Sequence, residues 1–251
     1  MDKRIIVIGD VHGCLEELKS LLVECGHNPT QDRVIVAGDL VDRGPDSAGV
    51  VSFVRESGFE CVMGNHDDKH VRMFHHMALK RANPNYRIPM RAFGTDKLSV
   101  FNALSDEDFD WLSKLPYFIR LPDDWIVVHA GLIPGKLLEN QDVGQLTHLR
   151  FLNKDSLRSV SLGDNYQQPK GSVYWTELYD LPYNVIYGHN VHSLTEARFE
   201  RRPNGAKLVG IDTGACFGGM LTAFILPEQK FVQVKSRKAY SRSWVTGKDG
   251  E

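Results

Sequence analysis

Six residues drawn from across the chain, Asp10, His12, Asp39, Asn65, His129 and His189, are of the types that hold divalent ions. Each lies in a short block beside glycine: Gly9-Asp10-Val11-His12-Gly13, Gly38-Asp39-Leu40-Val41-Asp42-Arg43-Gly44, Gly64-Asn65-His66-Asp67, His129-Ala130-Gly131 and Gly188-His189. Oxygen and imidazole donors without thiolates suit borderline or hard ions such as Mn, Fe or Zn. Six donors are too many for one ion and enough for two with open water positions, provided one carboxylate is shared. Two ions roughly 3.5–4 Å apart can share a hydroxide and clamp the attacking and leaving oxygens of an in-line displacement.

The elements that must position these residues are legible in the apolar runs that precede them. Arg4–Gly9, Arg33–Gly38, Phe59–Met63, Trp125–Val128 and Tyr183–Tyr187 are short stretches rich in Val and Ile, and each stops where a block begins. Such runs read as strands of a sheet covered on both faces. Helical patterns near 14–25 and 47–57 separate the first three, which gives a β-α-β-α-β run, a parallel sheet and three loops on one edge. Ligands bind at that edge in open α/β sheets. The strand carrying Asp39 should lie between those carrying Asp10 and Asn65, which makes Asp39 the natural shared carboxylate. Taken singly, an Asp beside Gly is most simply a turn residue and a lone His a satisfied core group. Five strand ends all carrying ligand-type residues are not explained that way.

Between and beyond the blocks the reading is coarser. Residues 68–81 are helical and polar and include His70, His75 and His76, with the adjacent pair assigned to a solvated or lining face. Short helices are expected within 86–104. Ser105 caps a helix ending near Leu115, and 117–121 with 125–129 form a hairpin. From 131 to 171 the signal is mixed and loop-rich, with one helix at 142–152, and is placed at the substrate rim. Residues 194–199, 207–211, 220–226 and 231–234 read as antiparallel strands of a second sheet packed on the first. One domain over 1–235 and a polar, frayed tail over 236–251 complete the outline.

Composition excludes several classes. The chain has 251 residues, 42% hydrophobic and 25% charged, and a formal charge of −2. That balance predicts no binding of bulk nucleic acid, although a capped RNA end stays open as a substrate. No charged leader and apolar segment precede the first strand, and no run approaches the ~20 apolar residues of a membrane helix, so a soluble cytoplasmic protein is expected. Cys14, Cys25, Cys61 and Cys216 are widely separated, which argues for buried free thiols over disulfides or a thiolate zinc site. Oligomeric state is not encoded legibly.

The five blocks, in this order, resemble the signature blocks of the calcineurin-like metallophosphoesterases, specifically the phosphoprotein-phosphatase-type branch. The resemblance implies a two-sheet mixed β-sandwich flanked by helices, a four-layer α-β-β-α arrangement with a binuclear centre at one edge. It implies Asp10, His12 and Asp39 on one ion, and Asp39, Asn65, His129 and His189 on the other. Mn is the first candidate, with Fe, Zn, Co and Mg as alternatives. His66 then resembles the general acid that protonates the leaving oxygen, with Asp42 orienting its imidazole and raising its basicity. Arg43 is similar to the arginine that grips phosphoryl oxygens, where a guanidinium fork fits, and Arg150 supplies a second, looser match. Asp67 stands where the branch usually has Glu, a shortening expected to bear on support behind the ligands. His192 is left outside the ligand set.

Gly210-Ile211-Asp212-Thr213-Gly214-Ala215-Cys216-Phe217-Gly218-Gly219-Met220-Leu221-Thr222-Ala223 and Trp175-Thr176-Glu177-Leu178-Tyr179 look like segments of the diadenosine-tetraphosphatase-like phosphatases. The implied activity is hydrolysis of a phosphoanhydride in a dinucleoside polyphosphate or related nucleotide. A Ser/Thr protein phosphatase, a polyphosphatase and a metal-free binding module are the alternatives.

Overall fold

The computed structural model describes residues 3–161 and 168–241. Two five-stranded sheets face one another. In the first, β1 (Arg4–Ile8), β2 (Asp32–Val36) and β3 (Glu60–Cys61) run parallel, and β12 (Met220–Leu226) and β13 (Lys230–Lys235) extend it antiparallel in the order β13-β12-β1-β2-β3. The second has the order β10-β11-β9-β5-β4, built from β4 (Phe118–Arg120), β5 (Trp125–Val128), β9 (Asn184–Tyr187), β10 (Arg198–Arg201) and β11 (Lys207–Gly210).

Strand alternation explains why the apolar runs are continuous. On β1, Ile5 and Val7 point into the layer between the sheets, where they meet Ile35, Val127, Ile186, Val209 and Phe224. Ile6 and Ile8 point the other way, onto helices α1 (Leu15–Glu24) and α2 (Ser47–Glu56), against Leu18, Leu21, Val50 and Val54. The outer face of the second sheet buries Ile126, Val128, Val185 and Leu208 under Leu132, Leu146, Leu152 and Trp175.

Three expectations are corrected here. The last four strands do not make a sheet of their own: β12 and β13 join the first sheet, while β10 and β11 join the second, where β11 pairs parallel with β9. Residues 131–171 contain more order than a loop-rich rim. Helix α6 (Val143–His148) is followed by β6 (Phe151–Asn153) and β7 (Ser159–Val160), which form a small antiparallel sheet with β8 (Ser172–Tyr174). This sheet joins α6 over the outer face of the second sheet, and the expected arrangement of two mixed sheets flanked by helices stands. The start of the tail is also fastened. Glu17 Oε1 accepts from Arg237 N at 3.0 Å and from the Tyr240 hydroxyl at 2.8 Å. The expected fraying of 242–251 lies outside the described residues.

Helix α3 (Asn65–Ala82) begins three residues before the sequence pattern suggested, so Asn65, His66 and Asp67 form its first turn. Gly64, the residue ahead of it, has no side chain to cap with. Asp67 caps from within, Oδ2 accepting from Gly64 N at 3.2 Å. After α3 come α4 (Thr95–Ala103) and α5 (Asp106–Leu112). Ser105 caps α5 as expected, its hydroxyl accepting from Asp108 N at 3.1 Å.

Candidate metal centre

The parallel strands β1, β2 and β3 deliver Asp10, Asp39 and Asn65 to one edge, with β2 in the middle; β5 and β9, also parallel, deliver His129 and His189 to the same place. Donor atoms of Asp39, His129 and His189 lie within 4.8 Å of one another, and so do those of His12, Asp39 and His66. Asp39 belongs to both groups. Its Oδ2 is 3.4 Å from His12 Nε2 and its Oδ1 3.4 Å from His129 Nε2. Asn65 Oδ1 joins the second group at 3.0 Å from His129 Nε2. Asp10 belongs to neither donor group; both its carboxylate oxygens accept from the His189 backbone N–H, at 3.1 and 3.0 Å.

The imidazoles are held with one face committed. His12 Nδ1 donates to Val41 O and His129 Nδ1 to Ala37 O, each at 2.8 Å. A carbonyl can only accept, so Nδ1 carries a proton in both rings and Nε2 is the atom turned to the cluster, the arrangement metal-ligating histidines adopt. His189 Nε2 is buried and has no hydrogen-bond partner, a costly condition for a polar atom unless it meets an ion. Burial holds His12 and His189 well below the usual histidine value, so both are neutral donors. Burial opposes charge on His129 too, yet the carboxylates of Asp39 and Asp10 push it up to about 10. That pull on a proton is the pull the two carboxylates would exert on a divalent ion held at the same nitrogen. The residues present therefore fit divalent ions: a shared carboxylate, neutral imidazoles aimed inward and one lone pair with nothing else to bind.

The backbone is bent to achieve this. His12, Asp39, Asp42, Arg43 and His189 have φ of 45°, 52°, 70°, 70° and 65°. Left-handed backbone is uncommon outside glycine, and its concentration here stores strain that surrounding packing must hold. Gly188 shows how close that packing is, since a Cβ there would lie 1.9 Å from Asp10 Oδ1. Gly188→Ala is expected to displace Asp10 and His189 together and to lower kcat/KM about 10²-fold while the far-ultraviolet circular dichroism stays that of the wild type. Wild-type kinetics would show that Asp10 can move without consequence.

On the open side, His66 Nδ1 donates to Asp42 Oδ2 at 2.6 Å, and Arg43 Nη2 donates to His66 Nε2 at 3.3 Å. Asp42 acts on His66 in the expected direction, raising its basicity. Burial is the larger effect and leaves His66 below the ordinary histidine value. Asp42 itself stays ionised: burial opposes its charge, and hydrogen bonds from His66 and His70 outweigh it. The Arg43 guanidinium lies 4.9 Å from the Phe217 ring centroid. Arg150 is brought in from the end of α6, Nη2 donating to His189 O at 3.2 Å.

Four participants were not singled out from the sequence. His70 is completely buried, and its Nε2 bonds Asp42 Oδ1 at 2.8 Å; its place four residues after His66, one turn along the same helix face, was the available signal. Asp212 is buried at the end of β11, its charge felt by Asp10; it too is an acid at a strand end near glycine. Lys97 from α4 pairs with Asp42, and the His148 ring lies 6.3 Å from that of His189; neither has a motif. Asp67 Oδ1 accepts from Leu40 N at 3.0 Å and Val41 N at 3.3 Å, so the shorter acid supports the Asp39 loop. His192 packs its ring against Tyr174 at 4.7 Å and bonds Arg198 Nη1 at 3.0 Å.

A sequence profile described as calcineurin-like phosphoesterase matches residues 3–213. The chain is 40% identical to a symmetrical bis(5'-nucleosyl)-tetraphosphatase of Pectobacterium carotovorum, covering 94% of this chain and 96% of that protein. It is 29% identical to an asymmetrical bis(5'-nucleosyl)-tetraphosphatase of Oceanobacillus iheyensis, covering 94% of each. A solved structure described as a candidate diadenosine tetraphosphatase superposes with a TM-score of 0.76 at 26% identity, over 94% of this chain and 95% of that one.

Proposed function

The chain belongs to the calcineurin-like phosphoesterase family, and from that premise we propose that it is a binuclear hydrolase of phosphoanhydride bonds in dinucleoside polyphosphates. The observation that carries the reading is the convergence of imidazole and carboxamide donors on a carboxylate common to two groups, Asp39. Asp10, His12 and Asp39 would hold one ion, and Asp39, Asn65, His129 and His189 the other, with Mn the first candidate. When bound, two such ions lower the proton affinity of the attacking water and neutralise charge on the phosphoryl group. The names of the two tetraphosphatase relatives support the substrate class.

The side chains account for the rest of the reaction. Arg43 and Arg150 grip non-bridging oxygens of the phosphoryl group under attack. In the resting site Arg43 donates to His66 Nε2; a bound phosphoryl group gives the guanidinium a better acceptor. His66, held at Nδ1 by Asp42, takes up a proton from solvent at Nε2 once Arg43 has turned to the phosphoryl group, and gives that proton to the departing phosphate oxygen. No helix in the described residues is long and apolar enough to cross a membrane, and Cys14, Cys25, Cys61 and Cys216 are free and buried; both accord with a cytoplasmic protein.

The test is a panel of diadenosine tetraphosphate, inorganic polyphosphate, capped RNA and phosphopeptides, assayed with Mn, Co, Zn and Mg. Chelation is expected to abolish turnover and Mn to restore it, with diadenosine tetraphosphate the best substrate. ADP alone would mark symmetrical cleavage, and AMP with ATP asymmetrical. A preference for phosphopeptides would overturn the proposal in favour of a protein phosphatase.

A further inference from the structure

Helix α3 carries more than Asn65 and His66. Residues three and four apart share a helix face, so Lys69 and Arg72 continue the line those two begin. With Lys97 and His148 they line a cavity of about 210 Å³ that opens to solvent beside the metal centre. Its lining has no carboxylate and no aliphatic side chain. Arg72 is already paired, Nε donating to Asp68 Oδ2 at 2.7 Å, and Lys97 is paired with Asp42. Lys69 has no ion-pair or hydrogen-bond partner among the described residues; its ammonium lies 5.7 Å from the Phe93 ring centroid. Burial, then the positive charge of Lys97, Arg72 and Arg91, holds its pKa below the ordinary lysine value.

Asp68 and Asp42 offset the charges of Arg72 and Lys97, which leaves the Lys69 ammonium as the uncompensated charge of the lining among the described residues, and an anion in the cavity would offset it. Beside a phosphoryl-transfer site, that anion is more phosphate. We propose that this cavity receives the phosphate groups beyond the one under attack, and that Lys69 selects polyphosphate chains over simple monoesters. Lys69 sits roughly 6 Å along the helix axis from Asn65, about one turn, on the side away from the strand edge. A lysine point charge on a flexible stem suits a phosphate chain of variable pose better than a rigid fork. A nucleobase would want flat apolar walls, which this lining lacks.

The assignment rests on the phosphoanhydride reading above, and the experiment separates the two. Lys69→Gln and Lys69→Arg are compared with the wild-type metal-loaded enzyme on diadenosine tetraphosphate, inorganic tripolyphosphate and p-nitrophenyl phosphate. For Lys69→Gln, KM for both polyphosphates is expected to rise about tenfold, the range for loss of a charge-assisted contact, with p-nitrophenyl phosphate kinetics unchanged; Lys69→Arg should behave as wild type. Equal losses on all three substrates, or no change on the polyphosphates, would overturn the subsite. If the wild type cleaves no anhydride, the proposed function fails, but tripolyphosphate inhibition of p-nitrophenyl phosphate hydrolysis still reads the cavity. The inhibition constant should rise about tenfold in Lys69→Gln, and an unchanged constant would remove Lys69 from it.

Discussion

Asp39→Asn is expected to abolish turnover and to leave the purified protein depleted of metal. The side chain keeps its size and hydrogen-bonding reach but loses the charge that both donor groups share. Asparagine also tolerates left-handed backbone, so the φ of 52° at this position is no obstacle to folding. The Oδ1 atom accepts from His66 N at 2.9 Å, a bond asparagine can keep. What changes is the electrostatics: the Asp39 charge is the largest influence holding His129 protonated in the absence of ions, and the cluster's attraction for cations falls with it. Loss of an outer-shell partner typically costs about 10–100-fold in metal affinity or activity; loss of the shared carboxylate should exceed that. Elemental analysis of the purified variant, with kcat measured at saturating Mn, checks both halves. Wild-type metal content with wild-type activity would take Asp39 out of the mechanism.

His66→Asn should produce a loss that depends on the leaving group. General acid catalysis contributes about 10²–10⁴-fold when the departing oxygen needs its proton, as with an alkyl phosphate. p-Nitrophenolate departs without help, so the same variant should retain most of its activity on p-nitrophenyl phosphate. The geometry supports this division, since Nδ1 is fixed by Asp42 at 2.6 Å while Nε2 faces Arg43 at the open side. Retained metal content would separate this effect from loss of an ion, which matters because His66 also lies in the donor group of His12 and Asp39. Equal losses on both substrates would point to a ligand or binding role.

The two experiments bear on different parts of the same edge. Asp39 lies at the end of a central strand, where β1 and β3 constrain it from either side. His66 lies on the first turn of a helix whose start depends on the Asp67 carboxylate. A disturbance at Asp67 would therefore reach both, through Leu40 N and Val41 N on one side and Gly64 N on the other.

The sequence by itself determined that strands end in ligand-type residues, because burial on both faces forces continuous apolar runs and the charged residues can stand only where those runs stop. The run of strand and helix patterns made β1, β2 and β3 parallel with right-handed crossovers, but those crossovers allow either β1 or β2 in the middle, so the central place of Asp39 was settled by the packed sheet. Only the tertiary structure decided how the last four strands divide between the two sheets, because antiparallel pairing over long separations leaves no local periodic mark. The small sheet of β6, β7 and β8 escaped for a related reason: strands of two or three residues are too short to show alternation. The left-handed φ of His12, Asp39, Asp42, Arg43 and His189, the reach of His70 to Asp42, and the cations of α3 and α4 facing one cavity are likewise properties of packed layers. They arise from contacts between residues that meet only when the sheets and helices close on one another.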